Sequence, residues 1–193
     1  MPAPRRVTQE ELVSAVRRIA EDDGIDAVTM STVSAAVGLR APSLYKRAAH
    51  RHDLLRLAAD DAAAELHAAI TGSVAPGAAP ADVLSAMAHA VRGFAARAPR
   101  VSGLLFAAPS EQAGPSSTAM EPLLHVLLDA VSAAVPGDPL PAARTFTAWV
   151  YGFCTMEQAG AFRLGGDVDA AFAHGLAVLV SALPSPAADP AGA

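Results

Sequence analysis

The sequence predicts an all-α protein, on three observations. Apolar residues recur at helical spacing along most of the chain, the alternating β-branched runs that mark strands are missing, and clusters of Pro and Gly cut the pattern into helix-length pieces. With 193 residues, 52% of them hydrophobic, one or two small domains with a full core are expected, and disorder is excluded over most of the length. The apolar residues are scattered among polar ones. Even the stretch 170–183 contains His174 and falls short of the roughly 18 residues a membrane span needs. The opening Met-Pro-Ala-Pro-Arg-Arg leads into a charged amphipathic segment instead of an apolar signal core, so a soluble, cytoplasmic protein without membrane contact is expected. The single cysteine, Cys154, excludes an intrachain disulfide framework and a cysteine-based zinc cluster.

The first helix opens at Thr8, whose hydroxyl can cap while Glu11 reaches back, and closes at Asp23-Gly24; its buried stripe is Leu12, Val16, Ile19 and Ala20. A second, short helix follows Thr29, buries Met30, Val33 and Val37, and stops at Gly38. A third begins near Pro42 and runs through Lys46, and a fourth covers about 51–70 with Leu54, Leu55, Ala58, Ala62 and Leu66 inward. Residues 71–80 read as a turn-rich linker. Beyond it, helices are expected at about 81–98, 100–107, 118–135, 140–163 and 167–183, and 184–193 reads as a disordered tail.

Net charge is −5, which argues against nonspecific nucleic-acid binding, but the average hides an asymmetry. Residues 1–56 hold nine basic and seven acidic side chains, and 40–56 alone hold five basic against one acidic. An anion-binding end on a separate acidic body is the implied organisation. Two short helices joined by a glycine turn, with a longer helix before and after, also form the architecture that lays one helix in a DNA major groove. A three-helix subdomain of an ordinary bundle has the same outline.

Specific residues favour the first reading. The run Gly24-x-Asp26-Ala-Val-Thr29-Met30, Val33, Val37-Gly38-Leu39, Ser43-Leu44-Tyr45-Lys46-Arg47 and Arg51-x-Asp53-Leu54-Leu55 resembles the N-terminal domain of the TetR/AcrR family of transcriptional regulators. Phe94-Ala95, Pro99 and Trp149-x-Tyr151-Gly152-Phe153, with Glu157, Gly160 and Phe162, are similar to the ligand domain of a TetR subgroup carrying a Trp-His-Gly motif. Tyr151 stands where that subgroup has histidine. Arg47-Ala48 replaces the family's His-Phe, and Arg51 its phosphate-contacting lysine.

The resemblance implies a helix-turn-helix DNA-binding domain at 1–56 and a helical ligand-binding and dimerisation domain at 57–183. It places Arg40, Ala41, Pro42 and Ser43 at base edges, where Arg40 suits guanine and the smaller residues a thymine methyl or an edge acceptor. Thr29, Tyr45, Lys46 and Arg51 would hold phosphates. The alternatives are a solvated turn for Arg40 and Ser43 and a packing role for Tyr45. Arg5 and Arg6 are either an arm reaching the duplex or a solvated terminus.

In the acidic body, His89, Phe94, Leu105, Phe106, Met120, His125, Trp149 and Phe153 are candidates for an effector pocket, with ordinary core as the alternative for each. Neither His89 nor His125 has a partner at metal-ligand spacing, and no metal or cofactor is expected. No phosphate loop, nucleophile elbow or HExxH pair is present, so an enzyme is not expected. Cys154 reads as a redox switch or an inert core thiol. The partners expected are a double-stranded operator, a small-molecule effector and a second copy of the chain. The homodimer would form through 140–163, with Phe146, Trp149, Val150, Phe153 and Met156, and through 167–183, with Phe172, Leu176, Leu179, Val180 and Leu183. Gly152, Ala159, Gly160, Ala173, Gly175 and Ala177 would allow close approach. The fourth helix, 51–70, is expected to be the only continuous rigid link between body and head. A ligand-independent architectural DNA binder is the alternative function.

Overall fold

The computed structural model describes residues 7–106 and 114–183; Arg5, Arg6, the first part of the break at 109–115 and the expected tail lie outside them. Among the described residues there are helices and no strands, in the order α1 (Gln9–Asp23), a 3-10 turn (Ile25–Ala27), α2 (Met30–Val37), α3 (Ala41–Tyr45), α4 (Arg51–Ser73), α5 (Pro80–Arg97), α6 (Pro99–Leu105), α7 (Ser117–Ala134), α8 (Leu140–Gln158) and α9 (Val168–Ser181). None of these helices is long and apolar enough to cross a membrane.

The chain divides into two compact units, Met1–Glu65 with Arg97–Met120, and Leu66–Ala96 with Glu121–Ala193. In the first, α1 begins with the expected reciprocal cap: Glu11 N–H donates to Thr8 Oγ1 at 3.1 Å, and Thr8 N–H to the Glu11 carboxylate at 2.9 Å. Its stripe of Leu12, Val16, Ile19 and Ala20 is buried, as are Leu54, Leu55, Ala58 and Ala62 of α4. Ala48, standing in the family's aromatic position, is also buried, and its N–H donates to the Leu44 carbonyl at 3.0 Å. α1 contacts α2 and α6, and α2 contacts α3.

The contact of α1 with α6 lies within this first unit and is held at Glu21. The Glu21 carboxylate of α1 accepts from Val101 N–H at 2.6 Å and Arg100 N–H at 3.2 Å, while the Arg100 guanidinium donates to the Glu21 carbonyl at 2.5 Å. Ala98, the residue before α6, has no side chain to cap with, so a carboxylate from α1 satisfies the first amides of the helix instead. Arg17 of α1 further pairs with Asp61 and Glu65 of α4, both at 2.6 Å.

The ends of α4 and α8 depart most from the sequence reading. α4 continues through Ser73, where Thr71 and Ser73 donate their hydroxyls to the carbonyls of His67 and Ile70, and the connection to α5 is 74–79. α8 stops at Gln158 instead of 163. Gly160 takes φ +60°, Ala161 N–H donates to the Met156 carbonyl at 2.9 Å and Gly160 N–H to the Glu157 carbonyl at 3.0 Å, a Schellman closure that only a left-handed residue permits. α9 starts at Val168, with Asp167 capping the amides of Asp169 and Ala170.

In the second unit, Trp149, Phe153, Phe162 and Phe172 form a continuous aromatic cluster, with His89 edge-on to Phe172 at 5.3 Å. This revises the dimer stripe. Phe146, Val150, Phe172 and Leu176 are buried within the protomer, and Gly175 receives the indole of Trp149 of the same chain. Of the expected stripe Met156 does face outward, at 47% exposure, joined by Tyr151 at 39% and Val178 at 52%, with Ala148, Ala159, Ala173 and Ala177 exposed beside them.

Candidate nucleic-acid interface

α2 and α3 are set by two local devices. Thr29 Oγ1 accepts from Thr32 N–H at 3.1 Å and Thr29 N–H donates to Thr32 Oγ1 at 2.9 Å, closing the start of α2. At its end Gly38, with φ +69°, lets Leu39 N–H reach the Ser34 carbonyl at 3.1 Å. The Ser34 hydroxyl donates back to the Leu39 carbonyl at 2.5 Å, so this residue pins the turn. Val33 and Leu44 are buried and hold the two helices; Met30, Val37 and Leu39 are only partly covered.

With those anchors in place, one short helix start displays the expected readers. Arg40, Ala41, Pro42, Ser43, Tyr45 and Lys46 are all exposed, Tyr45 at 54%. Thr29 is partly exposed at the start of α2. An open groove of about 490 Å³ lies between α2 and α3, lined by Met30, Ser31, Ser34, Ala35, Leu39 and Tyr45 among others. Such a surface, polar at the edge, cationic at both ends of α3 and backed by a rigid turn, matches what insertion into a DNA groove requires.

Arg51 departs from its expected place. Its Nε donates to the Val28 carbonyl at 2.8 Å, and Nη2 donates to the Ile25 carbonyl at 2.7 Å and to Asp26 at 3.2 Å. Arg47 is engaged in the same manner, donating to the Thr8 carbonyl at 3.1 Å and to that of Val7. At least two of the five cations counted in 40–56 therefore bond the chain's own backbone.

The expected pocket residues are distributed over both units. Leu105, Phe106 and Met120 belong to the first; His89, Phe94, His125, Trp149 and Phe153 belong to the second. Phe94 and Leu105 are buried, and Phe106, Met120, Trp149 and Phe153 partly so. His125 lies on the opposite side of α7 from the buried Leu123, Leu127 and Val131, two-thirds exposed and 3.9 Å from Glu121, so it is a surface residue of the chain and lines no wall within its unit. His89 is exposed apart from its contact with Phe172.

Sequence reasoning missed the ion network beside the aromatic cluster. Arg92 of α5 donates to both oxygens of Glu157 of α8, at 2.8 and 2.5 Å, and to Asp169 of α9 at 2.6 Å. Its guanidinium lies 4.6 Å from the Phe172 ring centre and 5.8 Å from that of Phe153. The bonds to Glu157, and then to Asp169, hold Arg92 above the ordinary arginine range against the cost of burial. A signal was available, since Glu157 is the one carboxylate of α8. Cys154, close enough to feel this network, is buried, and burial followed by the charge of Glu157 pushes its thiol up to about 11. Burial and a thiol raised in this way favour the inert core thiol over the redox switch.

Residues 84–179 match a family model described as the tetracyclin repressor-like C-terminal domain. No curated protein matches the sequence. Solved structures of similar fold include a TetR variant from Acinetobacter baumannii AYE in complex with minocycline (19% identity, TM-score 0.71, 92% of this chain and 96% of that one covered). Others are a TetR transcriptional regulator from Streptomyces coelicolor (18%, 0.72, 93% and 100%) and BioQ from Mycobacterium smegmatis (23%, 0.70, 92% and 98%). Those identities speak to the fold, and the C-terminal match to the lineage. Residues 84–179 thus form a tetracyclin repressor-like C-terminal domain, and the helix-turn-helix before it has a sequence pattern similar to that of the TetR/AcrR family of transcriptional regulators.

Proposed function

We propose that the protein is a ligand-responsive repressor that binds a palindromic operator as a homodimer and is released by a small, mostly apolar effector. In this reading residues 1–56 read DNA and 57–183 bind the effector and pair the subunits. The observation that carries it is the display of Arg40, Ala41, Pro42, Ser43, Tyr45 and Lys46 along one helix start whose opposite side is anchored by Leu44. Arg40 donates to guanine O6 and N7, the small residues admit the base edges, and Tyr45, Lys46 and Thr29 orient the head on the phosphates.

Exposed Tyr151, Met156 and Val178 on α8 and α9, interleaved with small residues, support pairing through the outer faces of those helices. For the effector, the second unit supplies an aromatic wall of Trp149 and Phe153 with Arg92, Glu157 and His89 as polar groups near it, the composition a small-molecule site needs. The Acinetobacter neighbour is itself in complex with minocycline, which supports an effector of drug-like size.

The test uses the full chain and a duplex it selects from a random pool, challenged with a panel of lipophilic small molecules. At least one is expected to weaken operator affinity by about 5–150-fold, with operator weakening its binding by the same factor. A molecule that binds free and DNA-bound protein with equal dissociation constants has no thermodynamic link to the operator; finding only such molecules contradicts the proposal.

A further inference from the structure

We infer that Arg51 is a positioning residue for DNA binding and not one of its phosphate ligands. The inference rests on the DNA-binding reading above. Arg51 is the first residue of α4, yet its side chain reaches back by more than 20 positions to the segment that leads into α2. Two carbonyls there, Ile25 and Val28, accept from its Nη2 and Nε, and the Asp26 carboxylate accepts from Nη2 as well. The Ile25 carbonyl also accepts from Val28 N–H at 3.2 Å, so the guanidinium closes a turn that is already folded on itself. Thr29, the cap of α2, follows directly.

Two consequences separate this role from phosphate binding. A planar guanidinium whose donors are directed at two carbonyls holds them in fixed relative position, which a lysine ammonium cannot reproduce from one point. Three of its five N–H groups are also engaged and a carboxylate lies beside it, so it releases few counterions when DNA arrives. Outward cations such as Lys46 carry the salt-dependent part of the affinity. Arg51 instead sets where the start of α2 stands relative to the first turn of α4, so any tilt of α4 reaches the DNA-facing helices through it.

The experiment compares the full-length wild type with Lys46→Gln, Arg51→Gln and Arg51→Lys, by fluorescence anisotropy over a salt series on a duplex the wild type selects from a random pool. All measurements are made well below each variant's melting temperature. Lys46→Gln should lower the slope of log affinity against log salt by about 1 for each phosphate that the side chain no longer neutralises. Both Arg51 variants should keep the wild-type slope and bind about tenfold more weakly, with faster amide exchange over residues 25–32. A lowered slope in Arg51→Gln with wild-type affinity in Arg51→Lys would make Arg51 a phosphate ligand and overturn the inference. Wild-type affinity in both variants, with earlier melting alone, would reduce the residue to fold maintenance and overturn it too. If Arg51→Gln does not fold, the affinity of Arg51→Lys decides by itself: wild-type affinity for a phosphate ligand, weakened affinity for a positioning residue. A folded wild type that selects no duplex removes the DNA reading, and the inference with it, whatever the variants do.

Discussion

The indole of Trp149 on α8 occupies the space that a side chain at Gly175 on α9 would need. A Cβ there would overlap Cζ2 of the ring and lie 3.1 Å from Cε2. The indole has little freedom to yield, because Phe172 stacks on it at 5.4 Å and Phe153 tilts against it at 5.5 Å. The packing of α9 on the Trp149 ring thus depends on the absence of a side chain at one position.

Gly175→Ala therefore sets two effects against each other. Alanine favours the helix over glycine by about 1 kcal/mol, and overpacking costs about 1–3 kcal/mol. The single variant should be neutral to destabilised by about 2 kcal/mol in urea unfolding. In a Trp149→Leu background the clash is gone, and the same substitution should become stabilising by up to about 1 kcal/mol. An unchanged sign in both backgrounds would show that the ring does not set this packing.

Glu21→Ala should leave the first amides of α6 without their acceptors and cost about 0.5–2 kcal/mol, the range for removal of a helix cap. Glu21→Gln, which keeps one side-chain oxygen, should cost less. Thermal melting of the two variants against wild type checks the order, and equal melting temperatures would deny the cap any role.

Arg40→Ala should relax the selected sequence at one base position per half-site, with discrimination there falling by about 1–3 kcal/mol. Competition binding with single-base variants of the selected duplex measures it. A uniform drop across all variants would place Arg40 on the backbone instead.

Cys154 should alkylate slowly. A thiol held at about 11 against an ordinary 9.0 has roughly a hundredfold less thiolate near pH 8, and burial slows the reagent further. The raised value also carries a sign for stability. The folded state favours the neutral thiol, so this contribution is complete below pH 9 and is lost as pH rises toward 11. Labelling at the rate of a free thiol in the folded protein, or a Cys154→Ser variant with unchanged stability loss over that window, would contradict it.

What could be read from the sequence was what is decided locally. Thr8 with Glu11, Thr29, and Gly38 each announced a helix boundary through a device that spans a few residues, and all three devices are present. Gly160 carried an equally local stop signal, but the apolar residues after it continued the helical pattern and masked it. His125 was a candidate for the effector pocket; at about 100° per residue it points away from the Leu123–Leu127 stripe, and burial follows the stripe. Charge counting failed for a different reason. Arg47 and Arg51 belong to the basic cluster by position, but long side chains find acceptors far along the chain, and only the tertiary fold decides whether a cation faces DNA or its own backbone.

The central claim is tested most directly by sequencing the DNA fragments that the purified full-length protein selects from a random duplex pool. The account predicts one enriched motif with inverted half-sites whose centres are about 34–36 Å apart, or a multiple of that. Selection of no sequence, or of a single unpaired site bound at one protein per duplex, would contradict a homodimeric operator-binding regulator.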